Sequence, residues 1–289
     1  MGNFDGVHLG HQALLRSMLA KSQSLGTVPS VLTFYPHPVE VLHPQKKLQR
    51  LTTTTEKLAL LEQMGVELVL VLGFTKEIAA LSAEGFFETH LLQGLGAKSV
   101  HVGQGFRFGK DRMGDNALLA KLSQERGIEA EGLSPVLRKE ERISSSAIRL
   151  AISNGEVEAA AEALGRPYSI SGTVVKGDAR GRQLGFRTAN LRCPSEKVLP
   201  KNGVYAARAK WQQQSFSAVT NIGHRPTFGP DSALIPHVEA HLLDFDANLY
   251  EENLELLFLT RLRDEKKFSS LEELKAQIQR DIQSTQSIR

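Results

Sequence analysis

The chain of 289 residues contains a single cysteine, Cys193. One cysteine excludes an intrachain disulfide and a metal cage built from thiolates, as is typical of a reducing compartment, so a cytoplasmic location is predicted. Long apolar runs are also lacking, because the longest, from Leu68 to Phe74, is far shorter than the ~20 residues that span a bilayer. No charged leader with an apolar core opens the sequence, so neither a membrane segment nor a secretory signal is expected.

The sequence also lacks a strong charge of either sign. Its net charge is +3, its isoelectric point is about 8.9, and it has no dense run of lysine and arginine. This balance predicts no nucleic-acid partner, although a mild positive charge favours the approach of anionic substrates. Aromatic residues are sparse at 6%, whereas 41% hydrophobic and 23% charged residues are ordinary for a globular chain of about two domains.

Glycine and histidine are concentrated in the first eleven residues. Gly2, Gly6 and Gly10 remove side chains from a turn that leads into a helix, so main-chain N–H groups can approach an anion closely. His8 and His11 are three residues apart at the mouth of that helix, which puts both on one face near the positive end of its dipole. The pattern favours a phosphate site for nucleotidyl transfer, and the alternative is a turn with two surface histidines.

Helical and strand patterns alternate through the first half of the chain. Helices are predicted over 11–25, 54–64 (capped by Thr54), 82–95 and 115–126, and strands over 30–34, 67–74, 97–103 and 128–133. Leu and Val dominate the run 67–74, which predicts a strand buried on both faces. The predicted fold is a wound parallel α/β sheet, which binds ligands at the carboxyl ends of its strands.

A second anion-binding pattern lies between Arg142 and Arg149. Ser145 and Ser146 can cap the helix that follows, and their hydroxyls together with exposed N–H groups suit a phosphate, to which the two arginines add positive charge. The alternative is a plain serine cap beside solvated arginines.

The composition changes near Gly165, where short β-rich runs replace the helical pattern. A domain boundary is therefore predicted there, with domains over 1–165 and 166–289. Strands are predicted over 168–175, 204–211, 216–222, 237–245 and 254–263, which indicates a small antiparallel barrel. A capping box at Ser270 predicts a helix to Gln283, after which the last six residues are expected to fray.

Glycine and arginine are concentrated again between Gly177 and Gly185, with Gly181 midway. Glycine lets the backbone approach a polyphosphate and arginine pairs with its oxygens, although a flexible hairpin is the alternative. Thr188 and Asn190 alternate on the extended segment that follows, so both point the same way. Their hydroxyl and amide oxygens are plausible ligands for Mg²⁺, or else ordinary turn residues.

Glu239 lies in an alternating run, on the same face as His237 and His241. If that face borders the open side of the barrel, Glu239 is placed to take a proton from an alcohol; if it faces bulk water, Glu239 is a surface glutamate. The turn-rich segment from Asn221 to Gly229, which contains Arg225, is either a lid over a planar ligand or a long loop.

The succession of these motifs closely resembles the bacterial bifunctional riboflavin kinase/FMN adenylyltransferases, also called FAD synthetases. The resemblance covers essentially the whole chain and rests on the opening motif, Gly103 to Gly109, Arg142 to Ser145, Phe186 to Asn190, Asn221 to Gly229, Val238 to His241, and Leu249 with Tyr250. It implies an N-terminal nucleotidyltransferase domain and a C-terminal barrel kinase. The barrel would phosphorylate riboflavin with ATP to FMN, and the N-terminal domain would join FMN to AMP from a second ATP to give FAD and pyrophosphate.

The resemblance also implies roles for individual residues. In the N-terminal half, His8 and His11 would hold the ATP phosphates, and further nucleotide contacts are implied for Gly2, Asn3, Phe4, Asp5, Gly10, Arg142, Ser145 and Ser146. In the C-terminal half, Glu239 would be the base on the ribityl hydroxyl, Thr188 and Asn190 would bind Mg²⁺, and the loop with Gly177, Gly181 and Gly185 would cover ATP. Flavin contacts are implied for Phe106, Asn221 and Arg225.

The sequence departs from the family pattern at four places. The family has a strand before Gly2 that this sequence does not include, which is expected to weaken the N-terminal sheet. Gly105 replaces a polar residue, Arg187 replaces a proline before Thr188, and Glu251 replaces a glycine. Two alternatives therefore stay open: a riboflavin kinase with a degraded adenylyltransferase half, and a flavin-binding regulatory protein without turnover. Oligomeric state is left unassigned.

Overall fold

A computed structural model of the chain describes residues 1–138, 140–177, 185–225 and 235–288. The chain divides into two compact units, Met1–Ser145 and Ser146–Arg289. Gly181 of the predicted phosphate loop and residues 226–229 of the predicted lid lie outside the described residues. Within the described ranges, no helix combines the length and the apolar character that crossing a membrane would need.

The first unit alternates helices with parallel strands. Its helices are α1 (Leu9–Leu25), α2 (Pro38–Leu42), α3 (Thr54–Gln63), α4 (Lys76–Ala80), α5 (Ala83–Phe86), a π-helical segment (Phe87–Gly94) and α6 (Asn116–Glu125). Its strands are β1 (Ser30–Tyr35), β2 (Leu68–Gly73), β3 (Ser99–Gly103), β4 (Glu129–Leu133), β5 (Leu137–Arg138) and β6 (Glu141–Arg142). Strand β1 pairs in parallel with β2, and β3 pairs in parallel with β4. The prediction of parallel α/β structure in this half is confirmed.

The first residues of the chain connect these two parallel pairs. The Met1 ammonium group donates to the His101 carbonyl oxygen of β3 at 3.0 Å, and the Gly2 N–H donates to the Leu32 carbonyl oxygen of β1 at 3.1 Å. One residue further on, the Thr33 hydroxyl donates to the Asn3 carbonyl oxygen at 3.2 Å. The chain therefore runs alongside β1, and the glycine-histidine loop begins near the carboxyl end of that strand, where α/β sheets bind ligands.

The prediction that the run 67–74 is buried on both faces is wrong. Leu68 and Val71 of β2 are 47% and 36% exposed, respectively. Strand β2 has β1 as its one strand neighbour in the described part of the chain, so it lies at an edge. Full burial requires strands on both sides and cover on both faces, and the composition of one strand does not reveal its place in the sheet.

The N-cap of α3 also differs from the prediction, because Thr53 caps this helix and not Thr54. The Thr53 hydroxyl accepts a hydrogen bond from the Glu56 N–H at 3.2 Å, and the Glu56 carboxylate accepts one from the Thr53 N–H at 2.8 Å. This reciprocal pair is a capping box, and it fixes the start of α3 one residue before the predicted cap would have placed it.

The second unit is built on a six-stranded closed barrel. Its strands are β7 (Tyr168–Val175), β8 (Ala189–Arg192), β9 (Gly203–Trp211), β10 (Gln214–Arg225), β11 (Ile235–Leu242) and β12 (Asn253–Arg263), in the order β10-β11-β8-β7-β12-β9. All neighbours are antiparallel, which confirms the predicted barrel. In the described part of this unit, three helices accompany the strands: α7 (Ser145–Asn154), α8 (Val157–Leu164) and α9 (Leu271–Ser287).

Along β11, side chains alternate between the inside and the outside of the barrel. On β11, Val238, Ala240 and Leu242 are at most 5% exposed and lie in the interior. Glu239, which stands between them in sequence, must therefore project outward, as the period of two in a strand requires. This orientation determines where the second candidate site lies.

The terminal helix α9 is held to the unit by a buried ion pair. The Arg263 guanidinium of β12 lies 2.7 Å from the Asp281 carboxylate, and Asp281 is only 4% exposed. The Thr285 hydroxyl, also buried, donates to the Asp281 carbonyl oxygen at 2.8 Å. The helix continues to Ser287, so the prediction that the chain frays after Gln283 is wrong for residues 284–287, which these contacts hold in the helix.

Candidate active sites

The opening motif folds into a tight loop with a strained backbone. Phe4, Gly6 and Val7 have φ angles of 51°, 83° and 40°, a region that only glycine adopts readily. The Asp5 carboxylate is 5% exposed and accepts hydrogen bonds from the Leu51 and Thr52 N–H groups. Asp5 therefore ties the loop to the segment at Leu51 and Thr52. Backbone strain like that of Phe4 and Val7 is concentrated at functional sites.

His8 and His11 lie together at the start of α1. Their rings stack with centroids 3.7 Å apart and planes at 16°, and His8 Nδ1 accepts a hydrogen bond from the His11 N–H at 3.3 Å. Gly10 leaves room for this stack, because a Cβ at that position would make a tight contact of 3.1 Å with the His8 ring. The predicted pairing of both imidazoles at a helix N-terminus is thus observed.

The environment of the His11 imidazole favours its neutral form, and one ring nitrogen has no hydrogen-bond partner among the described residues. Burial lowers its pKa well below the ordinary value, and the nearby charges of His8, the N-terminal ammonium group and Lys57 lower it further. Within the described residues, His11 Nδ1 is buried and has no hydrogen-bond partner. A buried nitrogen of this kind beside a helix N-terminus is suited to contact a bound anion.

A pocket next to the opening loop contains two cations that the sequence analysis missed. It is lined by Asn3, Asp5, Phe34, His37, Arg50, Thr52, Thr54 and Lys57. Lys57 is 8% exposed and donates to the Asn3 carbonyl oxygen at 3.3 Å and to the Thr33 hydroxyl at 3.1 Å. Burial lowers the pKa of Lys57, opposed by Asp5 and assisted by Arg50. The pocket thus places two basic side chains beside the opening loop, of which Arg50 is paired with Glu40.

Of the predicted nucleotide and flavin residues that follow the opening motif, Ser145 contacts that loop directly, and the others have different neighbours. The Ser145 hydroxyl donates to the Asp5 carbonyl oxygen at 2.9 Å, so Ser145 supports the opening motif directly. The Arg142 guanidinium lies against Gly105, where a Cβ would be 3.2 Å from Nη1. Ser146 is exposed on α7, whereas Phe106 stacks on Phe108 with centroids 5.9 Å apart.

The second candidate site is a row of polar side chains on the outer face of the barrel. Glu239 on β11 is the register partner of Asn190 on β8 and of Asn221 on β10. Residues directly opposite each other in antiparallel strands share a face, so the three lie side by side across three strands. The Thr188 hydroxyl donates to Glu239 Oε1, and His237 Nε2 lies 3.3 Å from Glu239 Oε2. The sequence-predicted residues Thr188, Asn190 and Glu239 are thus brought together.

The segment leading into this row is fixed by side chains and not by a proline. His241 Nδ1 lies 2.7 Å from the Arg187 carbonyl oxygen, and the Phe186 ring meets the His241 ring edge-on at 5.6 Å. The Arg187 guanidinium forms an ion pair with Asp246. These contacts hold the backbone immediately before Thr188, where a proline would have restricted φ.

The other described residues predicted for this half are Gly177, Asn221, Gly185 and Arg225. A Cβ at Gly177 would overlap the Asn190 side-chain amide, so a larger residue here requires that amide to move. The Asn221 amide donates to the Glu265 carboxylate at 3.3 Å, a contact that the sequence analysis did not foresee. Gly185 has a φ of 88°, and Arg225 is the last residue of β10.

The side chains of this row fit a magnesium ion that is bound mainly through its nucleotide. Thr188 and Asn190 offer a hydroxyl and an amide oxygen, and the Glu239 carboxylate lies beside them. Among the described residues, no group of three or more His, Cys, Asp or Glu side chains is placed to hold a metal. A small set of neutral oxygens suits Mg²⁺, which keeps several waters and takes phosphate oxygens as ligands.

Comparisons with known proteins match both units. A FAD synthetase family model matches residues 1–147, and a riboflavin kinase family model matches residues 164–289. The bifunctional riboflavin kinase/FMN adenylyltransferase of Escherichia coli strain K12 is 39% identical over 97% of this chain and 89% of its own length. The protein of the same name from Bacillus subtilis strain 168 is 36% identical over 98% of this chain and 89% of its own length.

A solved structure is also similar over nearly the whole chain. It is described as a macrolide-efflux protein from Streptococcus pneumoniae, and it matches with a TM-score of 0.92 at 32% identity. The match covers 99% of this chain and 92% of the solved one. Both units thus occur together, in this order, in another protein of known structure.

Proposed function

Because this chain belongs to the family of bacterial bifunctional riboflavin kinase/FMN adenylyltransferases, we propose that it catalyses both steps of flavin cofactor synthesis. In the first step, the γ-phosphoryl group of ATP passes to the terminal ribityl hydroxyl of riboflavin, which gives FMN and ADP. In the second step, the FMN phosphate attacks the α-phosphorus of another ATP, which gives FAD and pyrophosphate. The observation that carries the proposal is that the family models of the two activities match separate stretches of the chain, 1–147 and 164–289, which fall largely in two compact units.

In the kinase half, we assign Glu239 as the general base. Its carboxylate would accept the proton of the ribityl hydroxyl as that oxygen attacks phosphorus. Thr188 and Asn190 would hold Mg²⁺, which supplies charge neutralisation on the ATP phosphates when bound. The Thr188 hydroxyl can donate a hydrogen bond to Glu239 and offer an oxygen lone pair to a cation at the same time. We also retain the loop with Gly177, Gly181 and Gly185 for ATP, and Asn221 and Arg225 for the flavin.

In the adenylyltransferase half, we assign the opening loop and the start of α1 to the ATP phosphates. Main-chain N–H groups, the helix dipole and the imidazoles of His8 and His11 would stabilise the charge that develops during transfer. Transfer of this kind depends on positioning and charge neutralisation more than on covalent catalysis. The further nucleotide contacts that we propose are Gly2, Asn3, Phe4, Asp5, Gly10, Arg142, Ser145 and Ser146, with Phe106 towards the flavin.

Analysis of the products separates this proposal from its alternatives. Purified protein is incubated with riboflavin, ATP and Mg²⁺, and the flavins are resolved by chromatography over time. We expect FMN to appear first and FAD to follow. FMN without FAD would support a kinase whose adenylyltransferase half is degraded. Bound but unconverted riboflavin would support a flavin-binding regulatory protein.

A further inference from the structure

The two oxygens of the Glu239 carboxylate have different neighbours. The Thr188 hydroxyl donates to Oε1, whereas the His237 ring nitrogen Nε2 lies 3.3 Å from Oε2. His237 and Glu239 are two residues apart on β11, so their side chains stand next to each other on the outer face of the barrel. They are 17% and 28% exposed, respectively, so solvent reaches both only in part.

A carboxylate held from both sides cannot rotate freely about its last torsion angle. That torsion has a broad energy profile in glutamate, so the direction of the lone pairs is set by hydrogen bonds and not by the side chain itself. Each carboxylate oxygen accepts about two hydrogen bonds, so a donor on Oε2 still leaves a lone pair for a substrate proton. Two donors on opposite oxygens therefore fix the plane of the carboxylate.

The other polar side chains around Glu239 differ from His237 in chemistry or in contacts. Asn190 and Asn221, the register partners of Glu239, carry neutral amides, and the Asn221 amide donates to Glu265. His241, the next outward residue of β11, lies 2.7 Å from the Arg187 carbonyl oxygen. Among the described contacts, the imidazole that lies on the Glu239 carboxylate is that of His237.

We propose that His237 is a positioning residue for the kinase reaction. Its Nε2–H donates to Glu239 Oε2 and, together with Thr188, directs the carboxylate towards the ribityl hydroxyl of riboflavin. His237 acts through Glu239 and does not itself accept the substrate proton. This inference rests on the proposed role of Glu239 as the base.

Two substitutions at His237 test the proposal in the full chain. His237→Leu removes the donor, and His237→Gln keeps an amide N–H in its place. Because a misdirected base costs rate and not affinity, His237→Leu should lower kcat for FMN formation on the order of 10-fold to 100-fold. KM for both substrates and riboflavin binding, followed by quenching of flavin fluorescence, should stay near the wild-type values. His237→Gln should recover most of kcat, and His43→Leu, which removes an exposed histidine of the first unit, should change nothing.

The outcomes also separate this inference from the proposed function. If Glu239→Gln keeps full kinase activity, the role of the base fails, and that of His237 fails with it. If Glu239→Gln is inactive but His237→Leu is as active as the wild type, only the positioning role fails. A rise in KM with unchanged kcat would place His237 on the substrate, and equal loss in both His237 variants would make the imidazole itself necessary; either result overturns the proposal.

Discussion

Asn190 and Glu239 are register partners on the neighbouring antiparallel strands β8 and β11, and both side chains lie on the outer face of the barrel. Strand pairing sets the relative position of these two groups, so it does not depend on a loop. A site on regular strands keeps its geometry more tightly than a site on loops does. The proposed kinase reaction should therefore be sensitive to substitutions that displace Asn190 or Glu239 by a small distance.

Gly177→Ala should impair the kinase reaction selectively. The new Cβ would overlap the Asn190 amide and displace a proposed ligand of Mg²⁺. We expect kcat/KM for FMN formation to fall on the order of 100-fold, since a displacement of about 1 Å has that effect in active sites. The formation of FAD from added FMN should not change. Gly73→Ala is the matched control, because a Cβ at Gly73 meets no atom within 4 Å.

Gly10→Ala should impair the adenylyltransferase reaction selectively. Alanine favours the helix by about 1 kcal/mol over glycine, so α1 itself should not be weakened. The Cβ would, however, lie 3.1 Å from the His8 ring and disturb its stacking on His11. We expect FAD formation from FMN to slow about 10-fold or more while FMN formation continues. Unchanged FAD output would count against the assignment of the histidine pair.

His11 should make the stability of the protein depend on pH. Its pKa in the fold is well below the ordinary value, so the unfolded chain binds a proton at a pH where the folded chain does not. The stability that this group contributes is therefore present above pH ~6.5 and is lost as the pH falls, by up to about 1.4 kcal/mol per pH unit. Urea unfolding at one pH above and one pH below ~6.5 gives the free energy of unfolding at each. From the higher to the lower pH, this free energy should fall more for the wild type than for His11→Gln. Equal falls in the two proteins would contradict the prediction.

Asp281→Asn should destabilise the second unit. The substitution leaves the Arg263 guanidinium without its carboxylate partner, and removing one member of a buried pair costs about 3 kcal/mol. Glu255→Gln breaks the exposed pair with Lys210 and should cost less than about 1 kcal/mol. Thermal unfolding of the two variants compares them directly. Equal stability would mean that the contact with Asp281 does not hold α9.

The sequence reveals the parts of this protein that depend on local pattern. The alternation around Glu239 predicts its face correctly, and the glycines and histidines of the opening motif predict the loop and the start of α1. Both signals lie within one strand or one turn, where backbone geometry alone fixes which side chains meet.

What the sequence does not reveal depends on contacts between distant segments. Arg50 and Lys57 reach the opening loop from a part of the chain that carries no recognisable motif. His237 and Glu239 are two residues apart, as are all neighbours on one face of a strand. The sequence therefore does not show that these two side chains are in contact, and only the side-chain geometry does. The exposure of β2 depends on its place in the sheet, and the order of α9 depends on the partner of Asp281.

The most direct test of whether each unit carries its own catalytic site uses Glu239→Gln with two substrates in separate reactions. Given FMN, ATP and Mg²⁺, the variant should form FAD at the wild-type rate, because the proposed adenylyltransferase residues are untouched. Given riboflavin instead, it should form neither FMN nor FAD. Loss of both activities, or retention of both, would contradict the claim that each unit carries its own catalytic site.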